Sequence, residues 1–111
     1  MAARRKRAMP TGIRSPQEMR KHAGEAAALL RALANEQRLS ILCCLAGRRL
    51  SVGEINEQID LSQSALSQHL AVLRESNIVV TEKQAQTVYY SVPPGPVYKI
   101  MAVLQSIYCA P

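Results

Sequence analysis

The chain has 111 residues, 48% of them hydrophobic, which is enough for one domain and too few for two ordinary ones. Fourteen lysines and arginines against eight acids give a net charge of +6. No apolar run approaches the ~18 residues of a membrane span, and no apolar stretch follows Arg4, Arg5, Lys6 and Arg7 as a secretory signal requires, so a cytoplasmic location with no membrane partner is expected.

The charge excess is local. Residues 1–14 hold five basic residues and no acid, whereas the rest of the chain carries nine basic residues against eight acidic ones. Residues 1–14 therefore read as a disordered basic arm, and residues 15–111 as the folded domain. Since the charge belongs mostly to the arm, a nucleic-acid function has to be argued from motifs and not from net charge. The three cysteines, Cys43, Cys44 and Cys109, are an odd number and do not suit a structural disulfide framework. In a cytoplasm they start reduced.

Taken in order, Ser15-Pro16-Gln17-Glu18 is a capping box with proline at the first helical position. It predicts a helix running to about Ala34, with Met19, Ala23, Ala26, Leu30 and Leu33 spaced as a seam for another helix. Asn35 caps a second helix over about 36–46, stopped by Gly47. In it Leu39, Ile41, Leu42, Leu45 and Ala46 set an apolar arc, with Cys43 at its edge and Cys44 opposite; Arg38 interrupts the arc. Ser51-Val52-Gly53-Glu54 is a second capping box, opening a short helix to about Ile59. Asp60 and Leu61 turn the chain, Ser62 caps a helix over about 63–75, and Asn77 ends it in a left-handed conformation. Ile78–Lys83 and Thr87–Val92 then read as strands of a hairpin around Gln84-Ala85-Gln86. After Pro93-Pro94-Gly95-Pro96, a last helix over about 97–108 carries Val97, Met101, Leu104 and Tyr108 on one stripe.

Two short helices joined by a tight turn and followed by a hairpin are the parts of a winged helix-turn-helix: a mainly α fold with a β-hairpin wing. In the helix that starts at Gln63, Leu66, Leu70 and Leu73 fall on one side, and Ser64, Ser67, Gln68 and Ala71 on the other. The second face is polar but uncharged, unlike the Glu- and Lys-rich face of a merely solvated helix. Serine and glutamine suit hydrogen bonding to base edges in the major groove, and Ala71 permits close approach. His69 sits at the edge of the leucine stripe, where it is either a packing histidine or a DNA contact. Arg74 at the helix end either caps carbonyls, stays solvated or reaches a phosphate. Lys83, Gln84, Gln86 and Thr87 at the wing tip suit backbone or minor-groove contacts. An enzyme is disfavoured: there is one aspartate, no glycine-rich phosphate loop, and no cluster of acid, base and nucleophile.

The run Leu61-Ser62-Gln63-Ser64-Ala65-Leu66-Ser67-Gln68-His69-Leu70-Ala71-Val72-Leu73-Arg74 resembles the recognition helix of the ArsR/SmtB bacterial repressors. Ala34 to Leu39, Leu50 to Ile55 and the wing segment Gln84 to Tyr90 resemble the same family, in its branch of persulfide-responsive BigR and SqrR regulators and the haemolysin regulator HlyU. The resemblance covers about residues 18–109 and implies a homodimer, formed through the first and last helices, on double-stranded operator DNA. It also implies a sensor. Leu42-Cys43 and Tyr108-Cys109 match the cysteine pair that persulfide sensors link through sulfur, after which the repressor releases DNA. Cys44 departs from that pattern and leaves open a peroxide sensor using a vicinal Cys43-Cys44 pair, or a bystander. The HlyU likeness also leaves open a regulator that displaces a nucleoid protein. The metal sites usual in the family are not matched: Ile55-Asn56-Glu57-Gln58 has no cysteine, and Val97 to Tyr108 has neither carboxylate nor histidine. No metal or other cofactor is therefore expected, with a soft ion on the cysteines as the remaining metal-responsive alternative.

Overall fold

Every helix start anticipated by a capping residue is built by that residue. The computed structural model describes residues 15–109; the expected basic arm, residues 1–14, lies outside them. Ser15 Oγ accepts from the Glu18 amide at 3.1 Å and opens α1, Pro16–Lys21. The helix does not continue unbroken to Ala34 as expected. His22 leaves helical geometry (φ −112°, ψ 9°), and α2 runs from Ala23 to Leu33. No residue of α1 is buried, so no packing holds the two segments on one axis. Gly24 weakens the helix just beyond the break, and His22 Nδ1 pairs instead with Glu25 Oε1 at 2.9 Å.

Asn35 Oδ1 accepts from the Arg38 amide at 3.0 Å to start α3, Glu36–Leu45. The Arg38 that interrupted the apolar arc has a structural task. Its guanidinium donates to the carbonyls of Ala32 and Arg31, which the end of α2 leaves without helical partners. Gly47 (φ +77°) follows the helix, and Arg48 Nε donates to the Cys44 carbonyl at 2.8 Å. A short strand β1, Leu50–Ser51, comes next; two residues are too few to show a period in sequence. Ser51 and Glu54 complete both bonds of the capping box that opens α4, Val52–Gln58. Ser62 caps α5, Gln63–Glu75, and Asn77 takes φ +59° beyond its end.

The hairpin consists of β2, Val80–Gln84, and β3, Thr87–Ser91. Gln84 pairs with Thr87, so the turn is only Ala85-Gln86, with Ala85 at φ +58°. Gln84 thus belongs to a strand and not to the loop. The sheet is antiparallel in the order β1-β3-β2. The last helix, α6, is Pro96–Tyr108, entered through Gly95 at φ +145°. One core joins Ile41, Leu42 and Leu45 of α3, Ile55 of α4, Leu66, Leu70 and Leu73 of α5, Ile78 and Val79, and Val97 and Met101 of α6. Of the expected α6 stripe, Leu104 also packs against this core. Val97 and Met101 are spent on the chain's own core, while Val103, Ile107 and Tyr108 stand exposed, with Met19 and Leu30 of the first two helices.

Candidate nucleic-acid interface and cysteine groove

The α4–turn–α5 unit is held by bonds that orient α5. Asn56 Nδ2 donates to the carbonyls of Leu61 (2.9 Å) and Ile59 (3.3 Å), fixing the turn between the helices. Arg48 Nη2 donates to Gln58 Oε1 at 2.8 Å and ties α4 to the end of α3. Sequence reasoning singled out neither residue for this task, because a lone Asn or Arg has no period to betray it. On this base Leu66, Leu70 and Leu73 are fully buried, which leaves the opposite face of α5 outward. Gln63, Ser64, Ser67, Gln68, Ala71 and Arg74 are exposed there, and His69 is half-buried beside the leucines. The first turn of α5 has no acid, so no side-chain charge there opposes the attraction of the helix N-terminus for phosphate.

After α5 in the chain, β2 and β3 form the wing. Lys83, Gln84 and Gln86 are exposed and Thr87 is half-buried. Gln84 Oε1 accepts a hydrogen bond from Arg49 Nη2 at 2.8 Å. Arg49 was not among the expected site residues.

The cysteines are sorted differently from the sequence phasing. Cys44, expected opposite the apolar arc, is half-buried and packs against the core, while Cys43 is exposed. The reason is that α3 is packed on more than one side, against α2, α4 and α5, and Arg48 folds back to donate to the Cys44 carbonyl. Burial pushes the Cys44 thiol above its ordinary pKa; Arg48 works against this shift and Cys43 adds to it. All three thiols are free. Cys43 and Cys109 line one groove of about 200 Å³, with Leu39, Met101, Leu104, Gln105 and Tyr108. Cys109 caps α6, its amide donating to the Gln105 carbonyl at 2.8 Å. Among the described residues no three of His, Cys, Asp and Glu gather as metal ligands, and no helix is long and apolar enough to cross a membrane.

A recognition-type helix with a short polar face, a braced helix-turn-helix and a β-ribbon after it define a winged helix-turn-helix DNA-binding transcriptional regulator. Residues 35–81 match the bacterial regulatory proteins of the arsR family. The chain is 50% identical over 93 residues to the transcriptional activator HlyU of Vibrio cholerae, across 84% of this chain and 86% of the relative. It is 41% identical over 93 residues to the biofilm growth-associated repressor of Agrobacterium fabrum, across 84% and 80%. The solved structure of reduced HlyU from Vibrio cholerae N16961 superposes with a TM-score of 0.79 at 50% identity, covering 85% of this chain and 99% of that one. The chain belongs to the ArsR family of bacterial regulatory proteins.

Proposed function

We propose that the protein is a homodimeric repressor that reads an inverted-repeat operator and releases it when Cys43 and Cys109 are joined through sulfur. The observation that carries the sensing part is the shared groove, in which two thiols from distant parts of the sequence line one small apolar cavity. DNA reading falls to Gln63, Ser64, Ser67 and Gln68 in the major groove, with His69 and Arg74 at its edge and Lys83, Gln84, Gln86 and Thr87 on the wing. Exposed Met19, Leu30, Val103, Ile107 and Tyr108 favour a second copy of the chain as the partner of the first and last helices. Two-fold symmetry then sets two α5 helices about one DNA turn apart.

The inducer is a polysulfide or persulfide. In the polysulfide case the Cys43 thiolate attacks an inner sulfur, one S–S bond breaks, and a perthiolate leaves. The Cys109 thiolate then attacks that same sulfur, the next S–S bond breaks, and a thiolate leaves. The product is a Cys43–S–Cys109 trisulfide, with the two cysteine protons taken up by the leaving groups. A direct disulfide needs the two α-carbons within about 7 Å, and an interposed sulfur relaxes that limit. The bridge ties α3 to α6, and so couples the position of α5 to the dimerisation surface. A vicinal Cys43–Cys44 disulfide fits less well, since both residues lie within α3 and Cys44 packs on the core.

The test is intact-mass and peptide mapping of the reduced protein after organic polysulfide and, separately, peroxide, with operator binding followed in parallel. Wild type is expected to gain a Cys43–Cys109 link and release DNA. Cys43→Ser and Cys109→Ser are expected to bind DNA and ignore the polysulfide. A Cys109→Ser protein that still releases DNA sinks the proposal.

A further inference from the structure

The wing carries a side-chain cluster centred on Arg49. Arg49 precedes β1, and its guanidinium lies 4.7 Å from the centroid of the Tyr89 ring. From there Nη1 donates to Glu82 Oε1 at 2.5 Å, and Nη2 to Gln84 Oε1 at 2.8 Å. The register explains the reach. Ser51 pairs with Tyr89, and Tyr89 with Glu82, so these residues share one face of the sheet. Arg49 lies two residues before Ser51, and Gln84 two after Glu82, on that same face. The other face belongs to the core, with Leu50 buried and Tyr90 packed against it. Arg49 therefore spans the sheet from its β1 edge to the outer strand of the wing.

An exposed ion pair by itself contributes little. A planar guanidinium held by a ring, a carboxylate and an amide is fixed in one orientation. Arginine only donates, so it determines which end of the Gln84 amide it meets. Oε1 faces Arg49, and Nε2 is turned the other way. Among the described residues nothing accepts from Nε2.

We propose that Arg49 is a positioning residue for DNA recognition, which locks the Gln84 amide so that Nε2 is presented as a donor to the operator's phosphate backbone. The proposal rests on the reading that the wing contacts DNA. Glu82 is the anchor that holds the guanidinium in place, and Arg49 itself does not touch the DNA.

The test uses the full chain, with a duplex selected from a random pool by the wild-type protein, and anisotropy titrations across a salt series. The variants are Arg49→Lys, Gln84→Ala and the double variant. Lysine keeps the charge beside Glu82 but lacks the fork that reaches Gln84 as well. Each single variant is expected to weaken binding about three- to tenfold, the range of one hydrogen bond, and the double variant no more than either single. In the free protein the Gln84 side-chain NH2 resonances are expected to shift in Arg49→Lys. Wild-type affinity in Arg49→Lys, or single losses that multiply in the double variant, overturns the proposal. If Gln84→Ala binds as wild type while Gln68→Ala does not, the wing contact falls and the Arg49 proposal with it. Loss in Gln84→Ala without loss in Arg49→Lys overturns the Arg49 proposal alone.

Discussion

Helices α5 and α6 have the same length, 13 residues each, and present opposite surfaces to the outside. Both bury part of themselves in one core, α5 through Leu66, Leu70 and Leu73, α6 through Val97 and Met101. Among the residues α5 leaves outside are Ser64, Ser67, Gln68 and Ala71; the large apolar side chains α6 leaves outside are Tyr98, Val103, Ile107 and Tyr108. A polar, uncharged face has no drive to leave water but can exchange its water hydrogen bonds for those of base edges. An exposed apolar face gains by meeting another apolar face. The difference supports the proposed division of partners, DNA for α5 and a second chain for α6.

The most severe way to break this division is to put a charge on α6. In Ile107→Glu a dimer contact would bury an unpaired carboxylate, so sedimentation is expected to show a monomer at micromolar concentration. Binding to a two-half-site operator should then fall by about 100-fold or more, because two linked modules become two separate ones. A dimeric Ile107→Glu protein with normal affinity would move the partner surface elsewhere. The complementary change sits on α5. Gln68→Ala is expected to stay dimeric and to lose about 1–3 kcal/mol of operator binding, with relaxed preference at the contacted base pair. Unchanged specificity in that variant would make the polar face of α5 a solvated surface.

Much of this division was legible in the sequence, since period and caps are local. Ser15, Asn35, Ser51 and Ser62 each mark a helix start, and the leucine stripe of α5 gives its outward face by subtraction. The α6 face was not legible in full. Val97, Met101, Leu104 and Tyr108 form a stripe, but the pattern cannot say which part the core covers and which part remains outside. Arg49, Arg48 and Asn56 were missed for a different reason. Each joins segments through a side chain whose partner lies on another element or across a turn, and Arg49 reaches 33 and 35 residues along the chain. The phasing of α3 failed at Cys44 because a helix packed against three others has no single polar face.

Helix α3 extends the comparison to a finer scale, since its adjacent cysteines are divided as α5 and α6 are. Cys43 opens into the groove that Cys109 shares, and Cys44 turns into the packing. The smallest predicted effect follows. Cys44→Ala removes a small half-buried side chain, so it should cost about 1 kcal/mol of stability or less and leave the response to polysulfide intact. Burial raises the Cys44 pKa, so its thiol stays protonated into more alkaline solution than an ordinary one. The sign for stability follows from the protons bound. The folded state holds this proton above the ordinary thiol value and the unfolded state does not, so the contribution is present below that value and is lost as pH rises through the folded pKa. Mass-resolved alkylation across pH separates the three cysteines directly. Half-labelling of Cys44 should require a pH above the ordinary thiol range in the native protein and return to that range in denaturant. Cys44 alkylating at ordinary thiol pH in the native protein, together with a Cys44→Ala variant deaf to polysulfide, would shift the switch from the groove to the vicinal pair.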